Sequence, residues 1–271
     1  MTFPTRDLQP RIGTAIHTDK ATLLGGEHAG TIRELLEKRG VLVFPSIGLT
    51  DAEHVAFTGT LGKVAREMAG EIVYKVTLYT NANARADYLK GSFYWHLDGT
   101  MNPVPILASL LSAKKLSPEG GDTEFCNTYA AYDDLSAEDK AACEPLRVMH
   151  STWNSLFYYE PEPDLKTLRN LMAIGDRELP LVWTHRSGRK SLVLGCTAHH
   201  VVDMEFRKSV ELLVRLREFA TQPQFVYRHQ WTVGDLVIWD NTGTLHRATP
   251  YDCNSGRMMH RTKLEGEEPF C

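Results

Sequence analysis

The feature that most constrains the fold of this chain is a series of short apolar segments separated by turn-forming residues. Gly, Pro, Asn or Asp lies near each segment, and Ser187-Gly188-Arg189 between two of them predicts a hairpin turn. The predicted strands are residues 106–113, 148–152, 181–185, 191–194, 225–227, 236–239 and 258–263. Many short strands with a few helices outside them predict a mainly β protein with flanking helices, of the jelly-roll or cupin-like kind.

Three helices are predicted around these strands. The first covers residues 30–39 and ends at Gly40, before an apolar strand at residues 41–44. The second begins after Thr50, a predicted N-cap with Glu53 three positions on, and runs to about residue 61. The third covers about residues 204–219. Because the chain shows no internal repeat or composition break, we expect residues 1–271 to form one domain.

Composition limits the kinds of binding partner that the protein is expected to have and the cellular compartment in which it is expected to lie. The net charge is -4 with no basic tract, which argues against nucleic acid, and no apolar run approaches a membrane span of ~18 residues. The five cysteines are odd in number and lack C-x-x-C spacing, so a disulfide framework or a zinc-thiolate site is not expected. With no signal-peptide pattern at the N-terminus, the predicted location is the cytoplasm.

A candidate metal site begins at residues 95–99, Trp-His-Leu-Asp-Gly. If this segment is a strand, His96 and Asp98 share a face and can reach one point, although a His-x-Asp pair alone is weak evidence. A second segment, residues 234–241, combines a turn, an apolar strand and a polar end, and His246 follows it. Two imidazoles and one carboxylate on one side of an ion form the facial arrangement of non-haem iron(II) oxygenases.

These ligands leave the reaction open. Zinc accepts the same donors for hydrolysis, so a non-redox metalloenzyme on a cupin-like barrel is an alternative. A non-catalytic small-molecule binding protein is a second alternative. It would not need both a metal triad and an anchor for an anionic cosubstrate.

Such an anchor is suggested by Arg257 and Arg261, which lie on one face if their segment is a strand. One guanidinium can grip the distal carboxylate of 2-oxoglutarate with two hydrogen bonds. Two arginines on a strand are more often part of a solvated face. Thr123, directly after Gly120-Gly121-Asp122, offers a hydroxyl, although the same pattern describes a plain β-turn.

Taken together, these segments resemble the TauD/TfdA family of Fe(II)- and 2-oxoglutarate-dependent dioxygenases from about residue 10 to the C-terminus. The resemblance rests on residues 95–98, 120–123, 234–241, His246 and 257–261, in that order. It implies a double-stranded β-helix, a homo-oligomer (dimer or tetramer), and the use of Fe(II), 2-oxoglutarate and O₂ with succinate and CO₂ as co-products. It also implies that His96, Asp98 and His246 bind iron and act as the catalytic centre.

The resemblance further assigns Thr123 and Arg257 to the distal carboxylate of 2-oxoglutarate, and Arg261 to an anionic group of the substrate. The chain departs from the taurine enzyme, because Ser92 replaces a substrate-contacting Asn and residues 63–70 contain no His. Residues 194–202 are more similar to the phenoxyalkanoate enzymes, which makes His199 a candidate pocket residue. The backbone N–H of Gly99 is a further candidate contact. The expected substrate is a small anion: a carboxylate, a sulfonate or a sulfate ester.

Overall fold

The computed structural model describes residues 3–67, 70–83 and 86–271. The strands are β1 Thr5–Asp7, β2 Thr14–Ile16, β3 Val41–Phe44, β4 Val64–Ala65, β5 Tyr74–Val76, β6 Ala108–Lys115, β7 Thr123–Asn127, β8 Arg147–Ser151, β9 Asp176–Pro180, β10 Val182–Thr184, β11 Lys190–Leu192, β12 Ala198–Val201, β13 Val226–His229, β14 Leu236–Asp240, β15 Thr244–Ala248 and β16 Met258–Leu264. The helices are α1 Lys20–Leu24, α2 Ala29–Arg39, α3 Asp51–Leu61, α4 Ala86–Leu89, α5 Thr128–Asp133, α6 Ala137–Cys143, α7 Thr152–Tyr159, α8 Leu165–Met172 and α9 Phe206–Ala220. Within these ranges, none of the helices has both the length and the apolar composition needed to span a membrane.

The largest sheet has the strand order β1-β2-β3-β14-β6-β16-β4, and β5 also pairs with β16. A second sheet has the order β13-β7-β15, and the remaining strands form β12-β8-β9 and the hairpin β10-β11. Sheets therefore form the centre of the molecule and helices flank them, which confirms the predicted sheet-centred architecture.

The alternation of side chains along β14 shows how the layers are held together. Leu236 and Ile238 pack toward α2 and α3, in a cluster with Leu36 and Phe57. Val237 and Trp239 point the other way, in a cluster that contains Phe125 of β7. Since successive strand residues face opposite sides, a continuous apolar run buried on both faces must be a central strand. β14 thus lies between a helical layer and the β13-β7-β15 sheet.

Several predicted elements are confirmed with small shifts. The strand at residues 41–44 is β3, and α3 covers residues 51–61 with a complete capping box between Thr50 and Glu53. The turn at residues 187–189 joins the antiparallel pair β10-β11. The strand predicted at residues 106–113 is displaced by two residues, to 108–115.

One local prediction was wrong. Residues 95–98 do not form a strand: His96 makes an isolated β-bridge, and Asp98 lies in a turn. The turn passes through Gly99, whose φ is +86° and whose added Cβ would lie 2.8 Å from the backbone nitrogen of Ile106. A left-handed residue at this point ends any extended segment and requires glycine.

Candidate functional site

His96 and His246, 150 positions apart, are joined by reciprocal backbone hydrogen bonds. The N–H of His96 donates to the carbonyl of His246 at 3.1 Å, and the N–H of His246 donates back at 3.0 Å. Directly opposed residues of an antiparallel bridge project their side chains to the same side. The two imidazole centroids accordingly lie 4.1 Å apart.

Asp98 completes a cluster with these two histidines. The Nε2 atoms of His96 and His246 lie 3.9 and 3.8 Å from the carboxylate oxygens of Asp98. All three ligand atoms fall within 4.8 Å of one another, a spacing that one metal ion can bridge. The Nδ1 of His96 lies 2.8 Å from the carbonyl of Tyr94 and must donate to it, which leaves Nε2 bare for a metal.

The charge state of the cluster also suits a metal. Burial, with nearby His96, lowers the pKa of His246 to about 3, so this imidazole stays neutral at physiological pH. Burial alone would raise the pKa of Asp98, but the positive charges around it, that of Arg261 first, outweigh burial and hold that pKa well below its usual value. A neutral imidazole and an ionised carboxylate are the forms that bind metal.

A series of buried hydrogen bonds fixes the position of the Asp98 carboxylate. The Ser109 hydroxyl donates to Asp98 Oδ2 at 3.1 Å and accepts from Asn241 Nδ2 at 2.9 Å. Asn241 Oδ1 in turn accepts from the indole N–H of Trp239 at 2.9 Å. Sequence reasoning missed this function of Ser109. The available signal was two serines, Ser109 and Ser112, within an otherwise apolar strand run.

Arg257 lies in a buried pocket formed by the Gly120-Gly121 turn. Its Nη2 donates to the carbonyl of Gly121 at 2.9 Å, and its guanidinium lies 4.7 Å from the centroid of the Tyr251 ring. A Cβ on Gly121, whose φ is +78°, would lie 2.8 Å from Arg257 Nε. That Nε is buried and has no hydrogen-bond partner in the described part of the chain. A buried, incompletely paired guanidinium is a ready binding site for an anion.

Thr123 faces the side of its sheet on which the His246 side chain lies. It pairs with Ala248, two residues along β7 from the pair formed by Phe125 and His246, so Thr123 and the imidazole share one sheet face. The Thr123 oxygen accepts the indole N–H of Trp231 at 3.0 Å. Its own proton remains available to donate, and sequence reasoning did not identify the contribution of Trp231.

Arg261 lies beside the His-Asp-His cluster, and both of its terminal nitrogens are already paired, whereas its Nε has no partner among the described residues. Its Nη1 is 3.5 Å from Asp98 Oδ2, and its Nη2 donates to Glu67 at 3.1 Å. Lys263 donates to the other oxygen of Glu67 at 2.8 Å. Burial opposes the charge of Arg261, yet Asp98 and Glu67 hold its pKa above the usual value. The guanidinium is therefore a permanent cation next to the cluster.

The other predicted contacts lie in different settings. Ser92 belongs to the short 3-10 turn Lys90–Phe93, which packs near β15, and Gly99 forms the turn after Asp98. His199, on β12, packs against Trp153 with ring centroids 4.9 Å apart, and its Nδ1 is 2.7 Å from that of His200. No contact recorded over the described ranges joins His199 to the three clustered ligands.

The chain matches the family model described as "Taurine catabolism dioxygenase TauD, TfdA family" over residues 4–263. It is 34% identical to an alpha-ketoglutarate-dependent 2,4-dichlorophenoxyacetate dioxygenase of Cupriavidus pinatubonensis, with 96% of this chain and 97% of that protein covered. It is 35% identical to an (S)-phenoxypropionate/alpha-ketoglutarate-dioxygenase of Sphingobium herbicidovorans, over 84% and 82% of the two chains.

Among solved structures, the chain is similar to AAD-2 in complex with Mn(II) and N-oxalylglycine. The TM-score is 0.85 at 34% identity, and both chains are covered completely. A structure described as a putative alpha-ketoglutarate-dependent 2,4-D dioxygenase from Burkholderia xenovorans gives a TM-score of 0.81 at 30% identity, with 97% of each chain covered.

Proposed function

The chain belongs to the TauD/TfdA family of Fe(II)- and 2-oxoglutarate-dependent dioxygenases, and from this premise we propose which residues carry the reaction and which substrates it takes. The proposed reaction hydroxylates an aryloxyalkanoate or a related small organic anion. The observation that carries the proposal is the His-Asp-His cluster, whose ligand atoms lie within 4.8 Å of one another. A buried arginine, Arg257, whose Nε has no partner among the described residues, supports it.

His96, Asp98 and His246 are the proposed ligands of Fe(II). The donor set of two imidazoles and one carboxylate suits this ion and leaves room for further ligands. Bound there, iron(II) supplies the redox chemistry that couples decarboxylation of 2-oxoglutarate, by O₂, to hydroxylation of a C–H bond. Succinate and CO₂ are the co-products.

Arg257 and Thr123 are the proposed contacts of the distal carboxylate of 2-oxoglutarate. The guanidinium provides the unpartnered Nε and a positive charge, and the Thr123 hydroxyl provides a proton because its oxygen already accepts from Trp231. Arg257 and Thr123 are only 4% and 5% exposed as residues, so the ion pair would form with little competing water.

Arg261 is the proposed contact of the substrate's anionic group. It lies next to Asp98, so an anion held there would keep the rest of the substrate close to the metal. Ser92, Gly99 and His199 are proposed as further substrate contacts. Carboxylate substrates are favoured because the relatives reported above act on phenoxyalkanoates.

The architecture proposed for residues 1–271 is a single double-stranded β-helix, or jelly roll. It is supported by the packing of the β13-β7-β15 sheet against the largest sheet, around Phe125 and Trp239. On the family resemblance, a cytoplasmic homo-oligomer, dimer or tetramer, is proposed. Light scattering coupled to size-exclusion chromatography would measure the oligomeric state.

The test is to follow succinate release from 2-oxoglutarate under air across a panel of phenoxyacetates, phenoxypropionates, alkyl sulfates and alkyl sulfonates. We expect turnover to require Fe(II), to be inhibited by Zn(II), and to be highest with a carboxylate. His96→Ala, Asp98→Ala and His246→Ala should each abolish turnover. Full activity with zinc alone would refute the dioxygenase assignment and favour a hydrolytic metalloenzyme.

A further inference from the structure

Glu67 lies in the place where a substrate anion is proposed to bind. It follows β4, which pairs with the end of β16, and Glu67 thereby lies beside Arg261 and Lys263 of the same strand. One oxygen of Glu67 accepts from Arg261 at 3.1 Å and the other from Lys263 at 2.8 Å. The side chain of Glu67 is only 10% exposed, so its carboxylate lies inside the site.

The charges of this cluster are balanced without any ligand. Arg261 and Lys263 are cations, and Glu67 and Asp98 are anions. When Asp98 binds the metal, its negative charge is neutralised there. The remaining charges, two positive on Arg261 and Lys263 and one negative on Glu67, sum to a surplus of one positive charge. That surplus matches a substrate with a single negative charge, provided that Arg261 is released from Glu67.

Building on the proposed function, we propose that Glu67 is a built-in carboxylate that occupies Arg261 until the carboxylate of the substrate replaces it. Lys263 keeps Glu67 neutralised after the exchange, because its contact to the second oxygen does not involve Arg261. Without Lys263, displacing Glu67 would leave a buried carboxylate unpaired, which is costly. Glu67 is thus a specificity-determining residue: only a substrate with its own anionic group can compete for Arg261.

Binding can be measured without turnover by calorimetry on the complex with Mn(II) and N-oxalylglycine, using phenoxyacetate as the probe. Glu67→Gln keeps the size of the side chain and removes its charge, so the dissociation constant for phenoxyacetate should fall about tenfold. Lys263→Met strengthens the hold of Glu67 on Arg261, so the same constant should rise several-fold. Glu265→Gln, which breaks the exposed pair with Lys63 at the end of β16, should leave it unchanged.

The proposal predicts tighter phenoxyacetate binding in Glu67→Gln and weaker binding in Lys263→Met. If these residues had only a structural role, both substitutions would weaken phenoxyacetate binding. Phenoxyacetamide, the neutral analogue, should show no gain in Glu67→Gln. Affinities for Mn(II) and N-oxalylglycine should match the unaltered protein, which verifies the fold. If Glu67→Gln is not recovered folded, Glu67→Ala should shift the constant in the same direction.

Weaker or unchanged phenoxyacetate binding in Glu67→Gln would overturn the proposal, as would tighter binding in Lys263→Met. The proposal would also be overturned if phenoxyacetate bound neither the unaltered protein nor Glu67→Gln, since an Arg261 released from Glu67 should bind a carboxylate. Succinate release with another substrate would in that case leave the proposed function standing.

Discussion

Ser109→Ala is the most informative single substitution near the metal centre. It removes the closest hydrogen bond to Asp98 Oδ2, at 3.1 Å, and leaves the longer contact from Arg261 at 3.5 Å. Loss of a hydrogen-bond partner of a metal ligand typically costs about 10- to 100-fold in metal affinity, or about 1.4 to 2.7 kcal/mol. Because Arg261 remains, we expect the lower end, about tenfold. The orphaned Nδ2 of Asn241 should also lower stability by about 1–3 kcal/mol.

The assay is anaerobic titration of Fe(II), or calorimetry with Mn(II), beside chemical denaturation of the metal-free protein. Ser112→Ala is a matched control, since Ser112 is buried on the same strand but faces α3, with contacts of 3.4 and 3.5 Å to His260 and His54. Its metal affinity should equal that of the unaltered protein. Metal affinity within twofold of the unaltered protein in Ser109→Ala, or an equal loss in Ser112→Ala, would show that the Ser109 hydroxyl does not support metal binding by Asp98.

Three further outcomes are expected. Arg257→Ala should raise the KM for 2-oxoglutarate, measured by steady-state kinetics, by an amount equivalent to ~2–5 kcal/mol. An unchanged KM would show that Arg257 does not bind the distal carboxylate. Trp231→Phe, which deprives Thr123 of a hydrogen bond worth ~0.5–1.5 kcal/mol, should raise the same KM with little change in kcat; a fall in kcat alone would contradict it. Burial lowers the pKa of four histidines to about 3 or 4, namely His54, His150, His185 and His246. As the pH falls below about 6.5, these histidines bind protons in the unfolded chain before they do so in the folded protein. The stability of the metal-free protein should therefore fall as the pH drops from about 6.5 to 4. Asp240, whose pKa burial raises to about 6, opposes only part of this loss. Denaturation curves that do not change across that window would be inconsistent with neutral buried histidines.

Local signals in the sequence predicted the elements whose causes are local. The apolar run at residues 41–44 and the capping box at Thr50 are confirmed because a strand buried on both faces and a helix start each follow from adjacent residues. Short helices such as α7 and α8 were missed. Each has eight residues, too few for a clear period, and tertiary packing stabilises them more than their own sequence.

The sequence was sufficient to predict which residues form the candidate site, but not which hydrogen bonds and ion pairs hold those residues in place. His96, Asp98 and His246 could be selected because the segments around them match the motifs of the family in order, although the strand expected for the first two is a bridge and a turn. The partners of Ser109 and Arg261 depend on strand pairing: Ser109 meets Asn241 132 positions away, and Glu67 meets Arg261 194 positions away. No local pattern encodes such pairs.

The bridge between His96 and His246 means that two metal ligands are fastened to each other by the backbone and not by the ion. Removing the metal with a chelator need not separate them, so the empty site should keep its shape and rebind metal without a folding step. Both bridging amide hydrogens are bonded within the pair. Their deuterium exchange therefore reports the parting of two distant chain segments, and we expect it to stay slow whether or not metal is present.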